Sequence, residues 1–450
     1  MRSEIALAEN PTSSCNLESF PISSAFPARA ARPGVASYCH DVMDRSWSPL
    51  KPLLAGLVLT LLQLVMAVCL LAPDGPASYR YSTLIQADSY WFMNIVDRGY
   101  HTIVPLIDHK AMEVSNVAFF PAYPTIAALF HYGLNIDTGT ALLIVAQLAA
   151  WGFWSYFFLF CTRWNISPAL QICGALLILA HPAAFFLIAG YSESLFLMAL
   201  LGFIYWSSAE GPAPKAWAAL HGVVMSATRI VGIVCAAFPL VRSVFLKGWN
   251  CLREPREWFG NHASAIRLMF AATLGALSFF IYCQLRWGHW DIYMLTQAAG
   301  WAIIPDYLAV FKPSSYRWLV PALDNPTEAS QMSMTLGALL FVAIAFCELL
   351  PAIRRRTGLP MRAGIYFCAA AIYYVSVSGV ACVDMESMLR YEFCVHALIV
   401  LALLNYLRQL RMPPVFVRAS GIAAVALISA AGLSVQAWYV WNFTRGNWVA

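Results

Sequence analysis

Long apolar runs recur along the chain from Leu53 onward, separated by short polar punctuation. They fall at about residues 53–72, 139–160, 168–188, 192–208, 214–246, 265–285, 333–351, 363–381, 388–407 and 417–440. Each is long enough, or nearly so, to cross about 30 Å of hydrocarbon, where a segment must be helical to satisfy its own backbone. The pattern predicts an all-α polytopic membrane helix bundle of about eleven transmembrane helices. The run 214–246 is too long for one span, since its residues at 1.5 Å rise reach about 50 Å. It also carries Arg229 near its middle, and an arginine there wants water or a partner. Two topologies satisfy the alternation of sides. In one, Ala118 to Tyr132 crosses and 214–246 is a single span. In the other, preferred here, that aromatic, double-proline segment lies on the outer surface and 214–246 breaks near Ala227-Thr228-Arg229. The two place Tyr191-Ser192-Glu193-Ser194 on opposite sides.

Composition agrees with a bilayer. The 450 residues are 60% apolar and 11% charged, against roughly 25% charged in soluble domains. The net charge of +5 gives no reason to propose nucleic acid, and its placement matters more than its size. Basic clusters at Arg45 and Lys51, at Arg163, at Arg242 to Arg267, at Arg354 to Arg362 and at Arg408 to Arg418 should face the cytoplasm. Two long mixed-charge loops, Pro73 to Val117 and Trp287 to Gln331, then belong outside. Twelve cysteines are scattered with no Cys-x-x-Cys pair and read as small buried hydrophobes. Residues 1–48, rich in Ser, Pro and Ala, read as a disordered cytoplasmic tail. Residues 49–450 form one transmembrane domain, with a first outer loop region at 73–138 and a second at 287–331.

Chemistry concentrates at a few polar strings. In Ala87 to Tyr100, Asp88 is placed to cap a helix that starts at Ser89 and ends at Gly99, with Trp91 and Arg98 near the same face. The plainer reading is that Asp88 merely caps, Asp97 pairs with Arg98 or a neighbour, and the aromatics form an interface belt. At Tyr191-Ser192-Glu193-Ser194 a carboxylate sits between apolar runs, either lining a wet cavity or only opening a helix capped by Ser192. Arg229 is a phosphate partner or a snorkelling side chain. Arg390 is an anion holder or a surface partner of Glu392 or Glu386. His101, Asp108, His109 and Glu113 offer ligands for a divalent cation, in no diagnostic spacing, and no metal site or other cofactor is expected.

Four strings in order, Asp88-x-x-Trp91-x-x-x-Ile95-x-x-x-Gly99-Tyr100, Ala118-Phe119-Phe120-Pro121-x-Tyr123-Pro124, Gly190-Tyr191-Ser192-Glu193-Ser194-Leu195-Phe196 and Ala227-Thr228-Arg229-x-x-Gly232, resemble the PIG-V-type GPI mannosyltransferase family. That family is part of the GT-C superfamily of glycosyltransferases that use polyprenyl-phosphate sugars. A weaker echo follows at Ser387 to Tyr391. The sequence departs from the family pattern at Ala87, where Trp is commoner, and after Tyr391, where Glu392-Phe393-Cys394 replaces a proline-containing run. The resemblance implies a GT-C type fold with amphipathic or juxtamembrane helices in the first outer loop. It also implies a lipid-linked sugar donor, typically of mannose, and a hydroxyl acceptor on a glycan, glycolipid or protein. Asp88 matches the family's first-loop acid and is the candidate general base. Trp91, Tyr100, Tyr123, Tyr191, Glu193, Arg229 and Arg390 are the candidate donor- and acceptor-binding residues. The tail and the basic loops suggest a bacterial member, set in the inner membrane with its N-terminus cytoplasmic and its active site facing outward. The competing class is a transporter or flippase for a lipid-linked or polar solute, which calls for midplane ionisable groups and inverted repeats. Only Glu348 answers to the first, and no repeat is visible.

Overall fold

The computed structural model describes residues 49–103, 115–251, 253–317, 326–349, 358–408 and 415–449. The expected tail 1–48, the ligands Asp108, His109 and Glu113, and the basic residues Arg354, Arg355, Arg356 and Arg411 lie outside the described residues.

Every regular element among the described residues is helical. The chain runs through α1 (Leu50–Leu64), continued by a π-helical turn Val65–Leu71, then α2 (Ala77–Ser82), α3 (Asp88–Arg98), α4 (Ala122–Leu134), α5 (Thr138–Arg163) and α6 (Pro168–Leu179). It continues through α7 (Glu193–Ser207), α8 (Pro212–Thr228), α9 (Gly232–Cys235), α10 (Phe238–Lys247), α11 (Pro255–Trp287) and α12 (Ile292–Trp301). The last elements are α13 (Pro326–Leu349), α14 (Leu359–Val380), α15 (Met388–Leu407) and α16 (Val415–Phe443).

Local chemistry sets several of these boundaries. The Asp137 carboxylate accepts the Thr140 amide at the start of α5, and Ser167 caps α6 with a proline at its first position. Both give orphan N-terminal amides an acceptor. Asp137 lies outside the spans, and these bonds hold its carboxyl below the usual carboxylate range although partial burial pushes the other way.

Seven helices among the described residues are long and apolar enough to cross a membrane: Leu50–Leu71, Thr138–Arg163, Pro255–Trp287, Glu328–Leu349, Leu359–Val383, Met388–Leu407 and Ala419–Phe443. The protein is an integral membrane protein. The expected count of about eleven is not reached by length and composition. The difference is α6, α7, α8 and α10, whose 12, 15, 17 and 10 residues span only about 15–26 Å at 1.5 Å per residue. Each of these short helices buries at least one face in the bundle, while α6, α8 and α10 leave Ile172, Leu220 and Phe245 exposed on another. α7 is buried along almost its whole length, so it needs no full-length lipid contact to be held. By contrast α1, α11 and α16 leave Leu62, Leu285 and Leu427 exposed, as faces turned to acyl chains do.

The run 214–246 is broken, as the preferred topology requires: α8 stops at Thr228 and α10 starts at Phe238. The segment Ala118 to Tyr132 contributes α4, whose 13 residues reach about 20 Å and leave Leu129 and Leu134 exposed.

The helix ends sort into two groups. At one end Arg163 donates to the Tyr205 carbonyl, Arg408 to the Trp164 carbonyl and Lys247 to the Asn261 carbonyl. Glu348 lies at this end too, paired with buried Arg362, so the candidate transport carboxylate is instead a partner in a structural ion pair. At the opposite end the starts of α3, α7 and α15 and the end of α8 meet.

Candidate functional site

Two backbone contacts create the meeting point. The Gly190 amide donates to the Leu84 carbonyl, and Ser89 Oγ donates to the Gly190 carbonyl at 2.9 Å. A Cβ on Gly190 would lie 2.6 Å from Ile85 Cδ1 and 2.7 Å from Ser89 Oγ, so any side chain there would have to push both aside. The start of α3 is thereby clamped to the residues before α7, and Asp88 comes to Glu193. The second contact is the α8 break. Arg229 turns to extended backbone, φ −151° and ψ 144°, and the chain folds back on the last turn of α8. A Cβ on Gly232 would meet the Met225 carbonyl oxygen at 2.6 Å.

Asp88 is not the helix cap that spacing suggests. Ala87 occupies that place without a side-chain cap bond, and Asp88 is the first residue of α3. Its carboxylate is thus free to look outward, and Oδ2 accepts from Arg390 Nη1 at 2.6 Å. Arg390 in turn lies 3.1 Å through Nε from Glu193 Oε1. Nε finds no aligned acceptor, so this contact is ionic rather than a directed hydrogen bond. Arg229 Nη2 donates to the same Glu193 oxygen at 3.1 Å. Glu193 is 1% exposed, Arg390 6% and Asp88 23%.

The result is a chain of alternating charge, Asp88, Arg390, Glu193, Arg229, neutral as a whole. Isolated charges are costly at membrane depth, and pairing is how such groups are tolerated. Tyr391 sits between the guanidiniums, its ring 4.9 Å from that of Arg229 and 5.3 Å from that of Arg390. Tyr191 stacks on Arg390 at 5.0 Å. These faces add cation–π attraction and keep both cations in place. Tyr191 and Tyr293 lie outside the seven spans, and burial raises both hydroxyls, Tyr191 well above the ordinary tyrosine value and Tyr293 to about 12. Both are neutral donors near pH 7.

All four charged residues line one cavity of about 590 Å³. Its other walls are mainly apolar: Phe92, Phe119 and Phe120 on one side, Met294, Ile304 and Tyr307 on another, and Ile372 and Val375 on α14. The cavity therefore has a charged end and a greasy remainder.

Of the predicted residues, Asp88, Tyr191, Glu193, Arg229 and Arg390 come together here. Trp91 stands beside the cavity, packed against Phe119 and Trp301 at ring distances of 6.1 and 5.6 Å. Tyr100 and Tyr123 are not brought to it. The Tyr100 hydroxyl donates to the Phe119 carbonyl with the ring against Phe279, and the fully buried Tyr123 donates to the Leu142 carbonyl. Both rings are packing elements with their hydroxyls engaged. Asp97 pairs with Thr138 rather than with Arg98. Glu392 turns away from Arg390 to buried His181, Oε2 to Nε2 at 2.7 Å. The Ala183 amide donates to Nδ1 of that imidazole, which places the ring proton on Nε2. His101 lies beside Asn116. Among the described residues no group of three or more histidine, cysteine or carboxylate side chains is gathered for a metal.

Sequence reasoning missed Tyr391, Tyr293, Gln297 and Ser378 as cavity residues. Tyr391 alone carried a signal, since it adjoins Arg390 in the last matched string. Tyr293 and Gln297 lie in the segment read as the second outer loop, and Ser378 in an apolar run whose pattern says only that it is helical.

No family model matches the chain, and no curated protein does. Among solved structures, it is similar to the archaeal oligosaccharyltransferase AglB from Archaeoglobus fulgidus in complex with an inhibitory peptide and a dolichol-phosphate. That alignment has 12% identity and a TM-score of 0.46, covering 87% of this chain and 56% of that one. The apo form of the Archaeoglobus fulgidus oligosaccharyltransferase aligns at 12% identity and TM-score 0.46, covering 88% and 56%. The chain thus spans little more than half the length of these enzymes, and a likeness this distant assigns neither family nor activity.

Proposed function

We propose that this protein is a membrane glycosyltransferase that moves a sugar from a lipid-linked phosphate donor to a hydroxyl acceptor. The observation that carries the reading is the cavity of about 590 Å³ with two arginines and two carboxylates at one end and apolar walls elsewhere. An amphiphile with an anionic head fits that division, its phosphate beside Arg229 and Arg390 and its tail along Met294, Ile304 and Tyr307. The exposed apolar rim of Ile304, Tyr307 and Leu308 gives such a tail a lateral way in from the bilayer.

The chemistry follows from the charges. The acceptor hydroxyl gives its proton to Asp88 as its oxygen attacks the anomeric carbon. The bond from that carbon to the phosphate oxygen breaks, and the electron pair leaves with the lipid phosphate. Arg229 and Arg390, fixed in advance by Glu193 and the tyrosine faces, stabilise the charge that gathers there. The family resemblance points to mannose. Basic residues gather at the far end of the bundle, which supports a cavity open to the outer face.

The test is transfer from radiolabelled polyprenyl-phosphate mannose in proteoliposomes. Asp88→Asn is expected to fold and insert normally yet lower the rate by about 10²–10⁴-fold, the usual worth of a general base. Undiminished transfer by this variant removes Asp88 from the mechanism.

A further inference from the structure

We propose that Arg390 is a latch shared between Asp88 and the donor phosphate, so that the lipid phosphate binds by displacing the Asp88 carboxylate and in doing so releases it toward the acceptor. The proposal rests on the lipid-phosphate reading and adds an order to it: donor first, acceptor second.

The geometry points this way because both cations that line the cavity are already engaged, and Arg390 is held by two carboxylates. Arg390 Nη1 holds Asp88 Oδ2 at 2.6 Å, and its Nε lies 3.1 Å from Glu193 Oε1. Arg229 also shares that Glu193 oxygen. An incoming phosphate therefore meets a neutral four-residue chain in which each arginine is ion-paired, and it gains the full charge of Arg390 only by taking the place of one carboxylate. Glu193 is the harder to move. It is 1% exposed, bridges both arginines and is fixed in the first turn of α7. Asp88 is the easier, being 23% exposed on the cavity wall with Arg390 as its one hydrogen-bonding side-chain partner among the described residues.

The resting site also has polar atoms left over. Arg390 Nε and Glu193 Oε2 are buried without hydrogen-bond partners, and the Tyr191 hydroxyl, beside the Asp88 backbone amide, has no acceptor for its own proton. Such groups are costly in a packed interior, and a phosphate with several acceptor oxygens supplies partners for the two donors once Arg390 turns from Asp88. Glu193 Oε2 gains nothing from an anion, consistent with its staying where it is.

Competition of this kind makes an unusual demand on binding. A carboxylate that must be displaced lowers the apparent affinity for the anion, because only the displaced fraction is competent. Removing its charge should therefore strengthen binding while destroying transfer. Undecaprenyl monophosphate is titrated into nanodiscs holding the full-length protein, with tryptophan fluorescence as the signal and Trp91 and Trp301 as nearby reporters. Asp88→Asn and Asp88→Ser should bind it about tenfold more tightly than the wild type, and Arg390→Gln about tenfold more weakly. Asp88→Ser carries the test where the asparagine variant is not recovered folded. Equal or weaker binding by the Asp88 variants, with saturable binding by the wild type, overturns the latch and leaves the lipid-phosphate reading intact. No saturable binding by wild type or variants overturns both.

Discussion

Ala87 has φ 46° and ψ −110°, a backbone conformation that glycine adopts freely and a residue with a Cβ does not. It stands directly before Asp88. Ser387, three residues before Arg390, is also left-handed, with φ 67°. Each half of the Asp88–Arg390 pair is thus delivered by a helix that begins at a strained turn, and such strain persists only where the surroundings impose it. At Ala87 those surroundings are the Gly190 clamp and the α3 core residues Phe92, Ile95 and Val96. Ala87→Gly should relieve the conformation and stabilise the detergent-purified protein by about 1 kcal/mol, read as a rise in unfolding temperature. A fall would show that the Ala87 methyl contributes more through packing than it costs in strain.

Helices meet at this site through glycines, and the sequence discloses only part of that arrangement. The strings around Gly190 and Gly232 drew attention through their resemblance to a known family and not through their glycines, whereas the break at Thr228 was legible because no single span is so long. The start of α3 was placed one residue late: Asp88 has the side chain of a cap, but its carboxylate is drawn to Arg390, a partner 302 residues away. Tyr100 and Tyr123 misled for a related reason, since an aromatic with a hydroxyl reads alike whether it faces a ligand or a backbone carbonyl. Gly190→Ala tests the clamp. The added methyl must push Ile85 and Ser89 aside, at a cost of about 1–3 kcal/mol. Both thermal stability and transfer should fall, whereas loss of stability with full transfer would show that the clamp supports the fold without setting the site.

The molecule as a whole has a basic end, with Arg163, Lys247, Arg362 and Arg408, and a cavity end, where Asp88, Glu193, Asp306 and Glu328 each stand paired with a basic residue. If the basic end faces the cytoplasm, the exposed Cys382 at the cavity end and Cys251 after α10 lie on opposite sides. With all other cysteines replaced, a membrane-impermeant maleimide applied to intact cells should label Cys382 and spare Cys251; the reverse pattern would invert the orientation. The apolar rim of the cavity, with Ile304 66% and Tyr307 64% exposed, has a practical corollary. A detergent that pairs an alkyl chain with a phosphocholine group presents the same two features the cavity is shaped for, whereas a maltoside lacks the anion. Extraction conditions thus become part of the assay, because the solubilising agent itself can occupy the place of the proposed donor.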